Sequence, residues 1–127
     1  MLIPYEPDMK FDVEQEGLLT LFKPYQAALL ERLWEINESA RVGMNSGEAH
    51  RFLLEGPDKK SRASVIFFLN DMVEEGILDY EERTGKGGHH RVYYPNMDRD
   101  GFATYVTDKI TAKLREVFSK TLKATIR

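Results

Sequence analysis

Residues 61–95 read SRASVIFFLNDMVEEGILDYEERTGKGGHHRVYYP, and the rest of the chain is organised around them. Ser61 stands where a helix N-cap is wanted, because its hydroxyl accepts from a free backbone N–H of the first turn. Val65, Phe68, Leu69, Met72 and Val73 follow at the i, i+3, i+4, i+7, i+8 spacing of one buried helical face. Gly76 comes just past the last apolar residue, where a left-handed C-cap suits glycine. Residues 77–84 and 91–95 then read as two short strands. Between them, residues 85–90 (Gly-Lys-Gly-Gly-His-His) read as a flexible, basic hairpin tip.

Upstream, Pro24 is expected to open a first helix, since proline is favoured at the first helical position. Ala27, Leu30, Leu33 and Trp34 form its apolar stripe. Residues 37–43 read as a connection, with Val42 and Met44 supplying a short edge strand. Asn45 followed three positions later by Glu48 is the start signal of a second helix, which continues through Ala49, Phe52 and Leu53 and stops at Gly56-Pro57. Only residues 58–60 separate it from the third helix, the tight link a helix-turn-helix requires. The fold expected is therefore α+β: a winged helix-turn-helix with a three-helix core, a β-hairpin wing and a long C-terminal dimerisation helix. The alternative is a plain α+β packing unit whose loop is merely solvated.

The boundaries that follow are an N-terminal arm at 1–18, the winged domain at 19–96 and the C-terminal helix at 97–127. That last helix is expected from about Gly101. Phe102, Val106, Ile110, Leu114, Val117 and Phe118 lie along one side at near-heptad spacing. Roughly 24 residues would span about 36 Å, long for covering one face of a small domain. The stripe is therefore read as a homodimer interface, against the alternative of a helix folded back over its own core.

The chain has 127 residues, 42% of them hydrophobic, and no cysteine. One domain with an ordinary core fits that composition, and disulfides, thiolate metal sites and cysteine nucleophiles are excluded. Neither a leader pattern nor a membrane-length apolar run is seen, so a cytoplasmic protein with no membrane partner is expected. Net charge is −3, unevenly spread: −5 over residues 1–40, −1 over 41–96 and +3 over 97–127. Enzyme signatures are missing, and no cofactor is implied. His89 and His90 are neighbours on a strand and point to opposite faces, which is unsuited to a shared metal, and His50 is isolated.

Nucleic-acid chemistry is better represented. Lys59, Lys60 and Arg62 cluster at the start of the third helix, and Lys86, His89, His90 and Arg91 at the hairpin tip. Local fields attract phosphate more than net charge does. With its apolar stripe inward, the third helix presents Arg62, Ala63, Ile66, Phe67 and Asn70. Arg62 suits guanine or a phosphate, Asn70 suits adenine, and Ala63 or Ile66 suits a thymine methyl. Ser61 and Ser64 suit phosphate at the helix start. Lys86, His89 and Arg91 would press the wing against the backbone or minor groove. Two apolar residues at this face, Ile66 and Phe67, keep open a protein-interaction module without specific DNA binding.

Residues 19–96 resemble the penicillinase-repressor (BlaI/MecI-like) family of winged-helix regulators. The resemblance is carried by Leu33-Trp34, by Val65, Phe68, Leu69, Met72 and Gly76, by Ile77-Leu78, and by Val92-Tyr93-Tyr94-Pro95. It implies a homodimeric repressor on a palindromic operator of double-stranded DNA, with the third helix in the major groove. The chain departs from the family in having one C-terminal helix where several are usual, and in lacking the C-terminal cysteines of the copper-responsive branch.

Overall fold

A computed structural model describes residues 17–126 apart from Lys86, with side chains up to Ser119. The expected arm at 1–18 thus lies almost wholly outside the described residues. The chain divides into two compact units, one ending at Asn96 and one beginning at Met97.

The first described turn is a 3₁₀ turn, Gly17–Thr20, leading into α1, Pro24–Ala40. Pro24 occupies the first turn of α1, and the buried Gln26 side chain reaches back to accept from the Lys23 backbone N–H at 2.9 Å. The expected connection at 37–43 is shorter than the sequence suggested, because α1 runs on through Ala40. Ser39 Oγ donates to the Glu35 carbonyl at 3.0 Å, and Arg41 closes the helix in the left-handed region at φ 57°, its N–H donating to Asn37 O. A left-handed cap was not foreseen because Arg41 is not glycine.

β1, Met44–Asn45, leads directly into α2, Ser46–Leu54. The expected capping box is present. Asn45 Oδ1 accepts from Glu48 N at 2.8 Å, and Glu48 Oε1 accepts from Asn45 N at 2.9 Å. α3, Arg62–Glu75, begins at the Ser61 cap and ends at Gly76, whose φ of 84° is the left-handed conformation expected there. Val65, Phe68, Leu69 and Met72 are buried, while Val73 is only half-buried at the edge of the face.

β2, Leu78–Gly85, and β3, Gly88–Pro95, form an antiparallel hairpin in which Gly85 pairs with Gly88. The six-residue tip expected at 85–90 is therefore too long, since pairing continues to Gly85 and Gly88. His89 and His90 belong to β3, opposite Thr84 and Arg83. A glycine-rich run hid the strand ends, since strand propensity discounts glycine even where cross-strand pairing holds it. β1 adds to the other edge of β3, giving the order β1-β3-β2.

Phe68 of α3 anchors the core of the first unit. Its ring meets Phe22 edge-on at 5.9 Å and Tyr25 at 6.1 Å. Leu29, Leu30, Leu33 and Trp34 of α1, Leu53 of α2, and Ile77, Leu78 and Tyr93 complete it. This helix–edge strand–helix–helix–hairpin sequence, with its three-stranded sheet, is α+β and has the order of a winged helix-turn-helix.

In the second unit, α4 runs Arg99–Ile126 and begins two residues earlier than the glycine suggested. Asp98 supplies the cap, its Oδ1 accepting from Gly101 N at 2.7 Å. Among the described residues, no helix is long and apolar enough to cross a membrane.

Candidate nucleic-acid interface

The alternation of the hairpin decides what faces α3. On one side lie Tyr80, Glu82 and Thr84 of β2 opposite Tyr93, Arg91 and His89 of β3. On the other lie Asp79, Glu81 and Arg83 opposite Tyr94, Val92 and His90. Between α3, the start of α2 and the hairpin opens a cleft of about 360 Å³, lined by Ser46, Arg62, Ile66, Glu82, His89, His90, Arg91 and Tyr93.

The start of α3 is an exposed, cationic corner. Lys59 Nζ donates to the Gly56 carbonyl at 3.1 Å, and Lys60 Nζ stands 5.2 Å from the centroid of the Tyr25 ring. Both heads are exposed. Ser61 Oγ accepts from Ser64 N and donates to Ser64 Oγ at 3.1 Å, so both hydroxyls sit at the first turn. Arg62 is exposed and reaches towards the first turn of α2, with its Nη2 3.4 Å from Ser46 Oγ. Ala63 is exposed, Ile66 is 36% exposed and Phe67 is 70% exposed.

Asn70 is placed differently from the sequence expectation. Its Oδ1 accepts from Tyr93 Oη at 2.6 Å and from Arg91 Nη1 at 3.1 Å. A carbonyl oxygen has two lone pairs, and both are used inside the chain. Bidentate adenine recognition needs that oxygen free as well as the amide nitrogen, so Asn70 is not set up as a base reader. Arg91 is likewise not a free hand at a flexible tip. It is half-buried, with its guanidinium carbon 4.0 Å from the centroid of the Tyr80 ring.

Burial raises the pKa of the Tyr93 phenol, with the nearby Arg91 pulling the other way. His89 Nδ1 is within 3.3 Å of Thr84 Oγ1. His90 pairs with Arg83, which is ion-paired to Glu81 at 3.1 Å, and borders both this cleft and the hollow behind the sheet. Lys86 lies outside the described residues. Of the residues expected at the interface, Arg62, Ile66, His89, His90 and Arg91 meet at one cleft, while Lys59, Lys60, Ser61, Ala63, Ser64 and Phe67 flank it on the surface of α3 and its approach.

Four contributors were not foreseen: Ser46, Tyr80, Glu82 and Tyr93. A two-residue hairpin turn would have placed the last three by alternation, because it aligns Tyr80 with Tyr93 and Glu82 with Arg91. Behind the sheet, a second hollow of about 470 Å³ carries Arg41, Arg83, Glu48 and Glu81, a balanced set of charges that favours no ligand class. No group of three or more metal-ligating side chains occurs among the described residues. On α4, Phe102 and Val106, expected at a dimer seam, are instead buried and offer no surface to a second copy, whereas Leu114, Val117 and Phe118 are exposed.

No family model matches the chain, and no curated protein is significantly similar to it. Among solved structures it resembles that of a candidate transcriptional regulator from Thermoplasma acidophilum, at 19% identity and a TM-score of 0.44, over 78% of this chain and 92% of that one. So loose a superposition says nothing about what this chain binds.

Proposed function

We propose that the protein is a sequence-specific, duplex-DNA-binding transcriptional regulator without enzymatic activity. It acts as a cytoplasmic homodimer, in the manner of a penicillinase-type repressor on a palindromic operator. The observation that carries this reading is the convergence of Arg62, from the first turn of α3, and Arg91, from the hairpin, on one cleft. An exposed helix face thereby meets duplex DNA beside a strand-borne cation, so that phosphate contacts set the register and the helix reads base edges. The overall charge of −3 does not oppose this, because the local field counts and the cleft is lined by Arg62 and Arg91 against one carboxylate, Glu82.

Selection of bound sequences from a random duplex pool tests the reading directly. Arg62→Ala is expected to cost about 1–3 kcal/mol on the selected site and to relax preference at one base position. Binding to random DNA should weaken far less. Enrichment of no sequence would reject the proposal.

A second reading has its own support in Phe67, which leaves 70% of its surface in water on the same helix face. Large aromatic side chains at that exposure are common at protein interfaces. In a protein-interaction module, Phe67→Ala abolishes partner capture and Arg62→Ala leaves DNA discrimination unchanged.

A further inference from the structure

Asn70 spans from α3 to the hairpin, accepting from Arg91 and Tyr93 of β3 more than twenty residues away. We infer that Asn70 is a positioning residue, holding the Arg91 guanidinium oriented in the α3–hairpin cleft so that the wing meets a DNA phosphate with its donor already set. This rests on the DNA-binding reading and adds how the wing is prepared.

Three features support it. The guanidinium is held on two sides, by the Asn70 oxygen at 3.1 Å and by the Tyr80 ring at 4.0 Å. An arginine carries five N–H donors, so one bond to Asn70 leaves others for an anion. The acceptor is also neutral. A carboxylate at position 70 would hold Arg91 equally well but cancel its charge, whereas a carboxamide orients it and leaves that charge for phosphate. Tyr93, donating to the same oxygen at 2.6 Å, fixes the carboxamide's orientation. Glu82 stands opposite Arg91 in the strand register, a carboxylate the guanidinium would turn to if Asn70 released it.

The test is a double-mutant cycle on the intact chain, with the selected duplex and over a range of salt. Arg91→Ala should weaken binding about tenfold or more and lower the salt slope by about one. Asn70→Ala should weaken it about 2- to 12-fold, the cost of ordering one long side chain on binding. In the double variant, Asn70→Ala should add almost nothing to Arg91→Ala, since positioning has no value without the group positioned.

Asn70→Asp should keep the fold, lose affinity and lower the salt slope nearly as much as Arg91→Ala. A merely structural role would not produce that change in slope. Tyr93→Phe, which removes the bond that orients the carboxamide, should weaken binding no more than Asn70→Ala does, and the unfolding midpoint of each variant serves as the stability control. Additive effects of Asn70→Ala and Arg91→Ala would overturn the inference, as would a salt slope unchanged by Arg91→Ala or by Asn70→Asp. If the parent chain binds no duplex at all, the DNA reading falls and this inference with it. If the parent binds but the cycle is additive, only this inference falls.

Discussion

At Gly43 a hydrogen occupies the space where any other residue would place a carbon. A Cβ built there would lie 2.1 Å from the carbonyl oxygen of Tyr93, the residue that pairs with Met44. That oxygen belongs to a strand held on both edges, so it has little room to retreat. Gly43→Ala is therefore expected to destabilise the protein by about 1–3 kcal/mol, the usual cost of overpacking, with the β1–β3 pairing lost first. Denaturant unfolding checks the magnitude, and amide exchange at Asn45 checks the place. Tyr93 itself offers a pH test. Burial raises its pKa from the ordinary 10.0, so the folded state holds the phenolic proton more tightly than the unfolded chain. Its contribution to stability is full below about pH 10 and is lost as pH rises through the folded value. Stability measured from neutral into alkaline pH should fall, and Tyr93→Phe should make that fall shallower. Tyr94 and Tyr105 are shifted in the same direction.

Among the α-helices, α2 is the short one, and its N-terminus borders the cleft through Ser46. Both halves of its capping box are made, so Asn45→Ala removes an acceptor for one orphan N–H and disturbs the reciprocal bond from Glu48. The expected cost is about 0.5–2 kcal/mol, read as a lowered midpoint of thermal unfolding with no change in the far-ultraviolet spectrum of the folded state. Caps of this kind explain why α2 and α3 were legible in the sequence: Asn45, Glu48, Ser61 and Gly76 act on backbone groups within a turn of themselves. The buried stripe of α3 was legible for the same local reason. The hairpin was harder, because the strands end where cross-strand bonds end, and glycines at 85, 87 and 88 hide those bonds from any local pattern. Asn70 was not legible at all as a brace. Its partners lie 21 and 23 residues away, and its spacing on α3 pointed outward as well as Arg62's did. The exposure of Arg62, by contrast, was legible because it follows from helical periodicity alone.

For the whole molecule the open quantity is its assembly, and α4 is where that prediction belongs. The helix has 28 residues, Arg99–Ile126, about 42 Å at 1.5 Å per residue. Ile110, Leu114, Val117 and Phe118 share one side of it at the spacing of a helix–helix seam. Leu114, Val117 and Phe118 are 37%, 44% and 58% exposed, a run of apolar surface that a solitary helix would gain by covering. A second copy of the same stripe is its simplest cover, since a two-fold axis lets one patch meet itself. The chain is accordingly expected to sediment as a dimer at micromolar concentration, and Leu114→Glu with Val117→Glu should yield a monomer by placing like charges across the seam. The substitutions lie beyond the cleft-bearing unit, so each monomer should keep its affinity for a single half-site. Affinity for the palindrome should fall by about 10²–10⁴-fold, the advantage that linkage of two sites confers. A parent chain that sediments as a monomer would remove the dimer from the account. A charged double variant that remains dimeric would place the interface elsewhere, and unchanged palindrome binding by a proven monomer would show that the two half-sites are not read together.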